Sequence, residues 1–292
     1  MSKCYLCPRM CGADRDKGER GVCGQSAEIR ISRAALHMFE EPPISGERGS
    51  GTVFFSGCPL RCVFCQNMDI SRGENVGRAV TPEELAEIFL RLEGEGAHNI
   101  NLVTPTHFAN GIAEALRIAK PRLSIPVVWN TSGYERVETL RLFEGLVDIY
   151  LPDLKYASSE LAAKYSSAPN YTEVAKAALT EMYRQVGRYR YGEDGMLLGG
   201  VVVRHLILPA CRQDSMAVLD ILASSLPTDG ILLSLMSQYT PEFYRGELSN
   251  LKRRVTTFEY NSVLDRAVAL GFDGFMQGRG SASSKYTPAF EK

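Results

Sequence analysis

Thr52-Val-Phe-Phe-Ser56-Gly57-Cys58-Pro-Leu-Arg-Cys62-Val-Phe-Cys65-Gln-Asn67 joins a short apolar run to three cysteines at C-x3-C-x2-C spacing. The β-branched and aromatic run that stops at a glycine reads as a strand, and the cysteines occupy the loop after it. Iron-sulfur clusters are normally held by four Cys thiolates, so a loop that supplies three leaves one iron open to another molecule. A closed structural zinc site takes four Cys or His ligands. The nearest histidines, His37 and His98, lie well outside the loop, so a zinc reading needs a ligand imported from elsewhere.

The remaining cysteines form a second group, Cys4, Cys7, Cys11 and Cys23, and a single one, Cys211. Met1-Ser-Lys-Cys4 leads into cysteines and charged residues with no apolar leader, which places the chain in a reducing cytoplasm. There, clustered cysteines serve as metal ligands rather than disulfides. The N-terminal segment has four thiolates, several glycines and little apolar material, so a head built from it needs a metal to hold it. Four thiolates suit zinc or an auxiliary iron-sulfur cluster, and closed Cys4 sites are usually structural. Cys211, in Pro209-Ala-Cys-Arg212, reads as a free thiol in a loop.

The chain has 292 residues, 45% of them apolar and 23% charged, with a net charge of −1. This balance points neither to nucleic acid nor to a membrane, and no apolar run is long enough to cross a bilayer. Short apolar runs at Thr52–Ser56, Ile100–Val103, Pro126–Trp129, Val147–Leu151, Val201–Leu208 and Ile231–Met236 alternate with helical stretches. That alternation predicts βαβ units around a parallel sheet, an α/β fold of the partial (β/α)6 TIM-like barrel type. The first helix is announced by Thr81-Pro-Glu-Glu84, a capping box with proline at the first helical position, followed by Leu85, Ile88, Phe89 and Leu92 at helical spacing. A final unit runs from Tyr260 to Leu270 and ends at Gly274-Phe-Met-Gln277. The expected division is a Cys-rich head over 1–49, the barrel over 50–280 and a tail over 281–292. The segment 157–199 is longer than a usual crossover and is expected to form a lid.

C-x3-C-x2-C with Phe64 before the last cysteine resembles the signature of the radical S-adenosylmethionine (radical SAM) superfamily. Leu151-Pro-Asp153-Leu-Lys155 and Val201-Val-Val-Arg204-His-Leu-Ile-Leu-Pro209 resemble later strands of glycyl-radical-enzyme activases. The whole chain, including Cys4-Tyr-Leu-Cys7-Pro-Arg9 and Glu40-Glu-Pro-Pro-Ile-Ser-Gly46, is similar to the PflX-like branch, the pyruvate formate-lyase activating proteins. The resemblance implies that Cys58, Cys62 and Cys65 hold a [4Fe-4S] cluster and that SAM caps the open iron through its amino and carboxylate groups. One electron then cleaves SAM to methionine and a 5′-deoxyadenosyl radical. By resemblance the first candidate for hydrogen abstraction is a glycine backbone on a partner protein, with flavodoxin or ferredoxin as the electron donor. Activases usually carry a Gly-Gly-Glu-like segment after the second strand to hold the SAM amino group. Here Thr104-Pro-Thr106-His107 occupies that place, and threonine hydroxyls and backbone carbonyls can accept from an ammonium.

In barrels of this type functional groups gather at the C-terminal strand ends. Thr104 follows the second strand, Asn130 the third, and Asp153 and Lys155 the fourth. Asp153 and Lys155, two apart on an extended strand end, project to one face, where they grip a zwitterion or form a plain ion pair. Arg204 shares a strand face with Val202, Leu206 and Leu208 and needs a partner, either the SAM carboxylate or a neighbouring acid in a structural salt bridge. Asn130, next to the only tryptophan, Trp129, is a ligand to ribose or methionine atoms or a turn residue. His107 and His205 read as structural. The glycines of Gly46–Gly51 precede a strand and read as a turn, because phosphate loops follow one. Tyr239 and Gln277 sit at strand ends without an assigned role. Two further readings share these residues: radical modification of a small molecule or another peptide, and a noncatalytic iron-sulfur electron-transfer protein.

Overall fold

A computed structural model describes residues 3–73 and 76–276. Gln277, the last residues of the expected barrel and the 281–292 tail lie outside the described residues. The strands are β1 (Ile29–His37), β2 (Ser50–Phe55), β3 (Arg78–Val80), β4 (Ile100–Val103), β5 (Val127–Thr131), β6 (Ile149–Pro152), β7 (Arg190–Tyr191), β8 (Leu197–Leu206), β9 (Leu232–Met236) and β10 (Asp273–Met276). They form one sheet in the order β10-β9-β8-β6-β5-β4-β2-β1-β3, with β7 paired to β8. Every neighbour pair from β2 to β10 along this path is parallel. β1 runs antiparallel to β2 and β3. The result is the expected partial barrel, an open sheet with a seventh parallel strand, β10, and an antiparallel edge.

Helices cross between the parallel strands. Helix Pro82–Gly94 begins as the sequence dictates: Thr81 Oγ1 accepts from Glu84 N at 3.2 Å, and Glu84 Oε2 accepts from Thr81 N at 2.9 Å. Its Leu85, Ile88, Phe89 and Leu92 are buried against the sheet, and each such side chain contributes roughly 1.5–3 kcal/mol by leaving water. The segment expected to form a lid is instead a two-helix crossover, Ser159–Ser166 and Tyr171–Val186, followed by the β7–β8 hairpin. The second of these helices buries Tyr171, Ala175, Ala178, Leu179 and Met182. That apolar stripe needs the sheet as its partner, which ties the segment down.

Strand alternation divides the inside of the barrel into two levels. Ile44, Val128, Ile149, Leu151, Leu197, Val202 and Leu232 form an apolar cluster separate from the main helix-facing core. Two residues further along their strands come Asn130, Asp153 and Arg204, on the same faces because successive side chains alternate. A dry floor thus lies beneath a polar layer. Residues 29–37, grouped with the head on composition, form β1 and pair with β2 through His37↔Ser50. No helix among the described residues is long and apolar enough to cross a membrane.

Candidate active site

Gly57 is where the chain leaves β2 for the cysteine loop, and its φ of +82 belongs to the left-handed region that favours glycine. A Cβ there would collide with the Cys23 carbonyl and the Gln25 side chain, so the head lies directly against the loop. Cys58, Cys62 and Cys65 line a cavity of about 250 Å3 together with Thr104, Asn130, Asp153, Lys155 and Arg204. Five of the six residues expected to contact SAM therefore meet the three cysteines in one space.

Thr106 does not line this cavity. Thr104 takes a left-handed φ of +57 before Pro105, and the turn sends Thr106 into the protein, where its hydroxyl donates to Glu135 Oε1 at 2.5 Å. A β-branched residue at such a φ is a strained position of the kind that collects at functional sites.

Asp153 and Lys155 pair as their spacing predicts, Nζ to Oδ2 at 2.6 Å. Arg204 lies over them. Its Nε donates to Asp153 Oδ1 at 3.1 Å, its Nη1 to Glu40 Oε2 at 3.2 Å and its Nη2 to Asn130 Oδ1 at 2.5 Å. Burial works against charge on each of these groups, and their mutual attraction prevails at three of them. Burial disfavours the Lys155 ammonium, yet Asp153 holds its pKa above the ordinary value. Asp153 stays below the usual carboxylate range because Lys155 and Arg204 outweigh its desolvation. Arg204 is likewise raised against burial by Asp153, Glu41 and Glu40. Glu40 goes the other way, raised by burial despite Arg204.

Glu40 is the site residue that strand-end reasoning missed. It leaves the end of β1 rather than a parallel strand, and Asn101 Nδ2 and Asn130 Nδ2 donate to its Oε1 at 3.0 and 3.3 Å. The available signal was a pair of acids, Glu40 and Glu41, set before two prolines in apolar surroundings. Tyr171 was also missed. Its hydroxyl accepts from Lys155 N at 3.0 Å and donates toward the carbonyls of Ser132 and Asp153 at 2.8 and 2.9 Å, which clamps the loop ends after β5 and β6. Trp129 faces away from the cavity, its ring 4.1 Å from that of Phe143. His205 lies opposite Arg204, and its Nδ1 donates to the Leu154 carbonyl at 2.7 Å.

The eight cysteines stand as free thiols. Among the described residues no three or more His, Cys, Asp or Glu side chains are gathered tightly enough to grip a single metal ion. A cubane spreads its ligands more widely than one ion does, and the donor set at the loop fits it: three soft sulfurs around one cavity. Burial raises the Cys58 and Cys62 thiols, and neighbouring sulfurs raise them further. Bare thiolates are therefore disfavoured there, and a cationic centre would restore them. In the head, burial pushes Cys7 up to about 12, with Cys23 and Cys4 adding to the effect. The sulfurs of Cys11 and Cys23 both lie beside Gly21, so these thiols share one small region.

A sequence model of the radical SAM superfamily matches residues 52–200, just over half of the chain. The chain belongs to the radical SAM superfamily. Membership implies a [4Fe-4S] cluster and SAM. An uncharacterized protein of Methanocaldococcus jannaschii is 30% identical over 287 residues, covering 94% of this chain and 76% of that protein. A second from the same organism is 28% identical over 193 residues, 61% of this chain and 53% of the other. Among solved structures, a radical SAM methyltransferase from Sphaerobacter thermophilus superposes with a TM-score of 0.53 at 17% identity, covering 80% of this chain and 67% of that one. Streptococcus suis SuiB bound to precursor peptide SuiA gives 0.50 at 13% identity, covering 76% and 46%. At such identities the likeness is one of fold.

Proposed function

We propose that Cys58, Cys62 and Cys65 are the cluster ligands, and that Thr104, Asn130, Asp153, Lys155 and Arg204 form the wall that orients SAM over the open iron. The observation that carries this reading is that all eight residues line one cavity. Cluster and SAM together supply a 5′-deoxyadenosyl radical for hydrogen abstraction. The chain's own contribution is orientation. Lys155, Arg204 and the amide of Asn130 offer donors to a carboxylate or to ribose oxygens. Glu40, Asp153 and Thr104 offer acceptors to an ammonium, which answers the missing Gly-Gly-Glu-like segment with groups already at the wall.

The finer reading is activation of a glycyl-radical enzyme by a PflX-like protein that draws its electron from flavodoxin or ferredoxin. It rests on the resemblance at Leu151–Lys155 and Val201–Pro209. The head is read as a second metal centre at Cys4, Cys7, Cys11 and Cys23, zinc or iron-sulfur. Because these sulfurs do not stand close enough to grip a single ion, the zinc alternative requires them to close up, and elemental analysis of Cys4→Ser protein separates the two. The substrate class is tested with extract from cells grown on deuterated glycine, divided by size and incubated with the reconstituted protein and SAM. Deuterium reaching 5′-deoxyadenosine from the macromolecular fraction supports a protein backbone. Transfer from the small-molecule fraction alone contradicts it.

A further inference from the structure

The three loop cysteines differ in what their sulfurs meet. Cys58 Sγ accepts from the Leu60 backbone N–H at 3.4 Å, and Cys65 Sγ lies 3.5 Å from the Ser71 hydroxyl. Cys62 Sγ receives the hydroxyl of Ser166 at 3.0 Å, from 104 positions away in sequence. Ser166 is fully buried at the C-terminal end of helix Ser159–Ser166. Tyr156 OH lies 2.7 Å from its Oγ. An iron-bound thiolate has no proton and can only accept, so the single Ser166 proton points at Cys62 and the Tyr156 proton fills the remaining Ser166 acceptor site.

The helix end that bears Ser166 is fastened to the cysteine loop by two further links. Val63 N donates to the Tyr165 carbonyl at 2.8 Å. Arg9, from the four-cysteine head, donates from Nε to the Pro59 carbonyl at 2.8 Å and from Nη2 to the Ser166 carbonyl at 3.1 Å, and its Nη1 reaches the Ser167 carbonyl. One head side chain thus holds the loop between Cys58 and Leu60 and the helix end whose hydroxyl meets Cys62. A cation at a helix C-terminus is also favoured by the helix dipole.

We propose that Ser166 sets the reduction potential of the cluster through its hydrogen bond to Cys62, and that Arg9 is the positioning residue by which the head holds that bond in place. The proposal rests on the reading that Cys58, Cys62 and Cys65 hold the cluster. The physical basis is that an added electron increases the negative charge on the sulfurs, so a donor to one of them stabilises the reduced form and raises the potential. Through Arg9, the order of the head becomes a condition on how readily the cluster accepts an electron.

The test is an anaerobic redox titration of the reconstituted full chain, followed by electron paramagnetic resonance, with iron content measured in parallel. Ser166→Ala should shift the midpoint to more negative potential. At a fixed potential between the midpoints of the two proteins, its reduced-to-oxidised ratio should be about ten-fold lower than that of the unsubstituted protein, equivalent to about 59 mV for one electron. Ser166→Thr, which keeps the hydroxyl, should restore most of the ratio. Tyr156→Phe, which leaves Ser166 without its second partner, gives an independent route if the alanine variant folds poorly, and a smaller shift of the same sign is expected. Arg9→Met should shift the midpoint in the same direction, with little added effect in the Ser166→Ala background, because both act through one hydrogen bond. An unchanged midpoint in Ser166→Ala at equal iron content overturns the tuning role, and additive shifts overturn the role of Arg9. Failure of the unsubstituted protein to assemble any cluster overturns the underlying reading as well.

Discussion

Asp153 and Arg204 meet across the ends of β6 and β8: Arg204 Nε donates to Asp153 Oδ1 at 3.1 Å, and the two residues form a single parallel bridge beyond the regular pairing. Glu40 holds the other side of the guanidinium. Removing one member of a buried ion network strands the charges of the others, so Arg204→Met should cost about 3–5 kcal/mol of unfolding free energy. Adding Glu40→Gln should recover part of that loss, because one stranded carboxylate disappears. Urea denaturation of both variants checks this, and an equal loss in the two would contradict the network.

Lys155 lines the cavity with the cysteines, and it and Cys62 shift each other's titration. Lys155→Met keeps the aliphatic stem and removes the charge. In cluster-loaded protein the SAM Kd should rise at least about ten-fold, a loss of about 1.4 kcal/mol, with iron content unchanged. Calorimetric titration with SAM measures it, and an unaltered Kd would remove Lys155 from the binding wall.

Tyr171→Phe deletes the hydroxyl shared by Lys155 N and the carbonyls of Ser132 and Asp153. A buried N–H left without its acceptor costs about 1–3 kcal/mol. Both stability and SAM affinity should fall, because the clamp joins the loop ends that carry Asn130 and Asp153. Loss of stability with SAM affinity intact would show that the clamp does not position the wall.

Acid and base act oppositely on three buried groups. Burial lowers His107 to about 3 and His205 to about 4, so the unfolded chain binds more protons below its ordinary histidine range. Their contribution to stability is lost as pH falls from about 6.5. Burial raises Glu135 to about 7, although hydrogen bonds from Thr106 and Thr131 oppose the shift. The folded state then binds the extra proton, and stability is lost as pH rises from about 4.5 toward 7. Glu135→Gln removes only the second effect, so its melting temperature should climb more steeply between pH 5 and 6.5 than that of the unsubstituted protein. Parallel melting curves would contradict the buried-acid assignment.

The parts of this architecture that local chemistry dictates were legible in the sequence. The Thr81–Glu84 capping box, the apolar runs of the parallel strands and the alternation that sets Arg204 on one face with Val202 and Leu206 follow from neighbouring residues. β1 was not legible, because its irregular pairing between Ile31 and Arg33 breaks the alternation. Glu40 and Ser166 escaped for a different reason: their partners, Arg204 and Cys62, lie 164 and 104 positions away. Thr106 was misplaced because a left-handed Thr104 cannot be read from the residue types around it.

The central claim is that the cysteine loop and its wall cleave SAM. Protein reconstituted with iron and sulfide without oxygen, then given SAM and a strong reductant, should form 5′-deoxyadenosine, while Cys62→Ala protein should form none above background. Equal amounts from both, with the cluster verified in the unsubstituted protein, would contradict it.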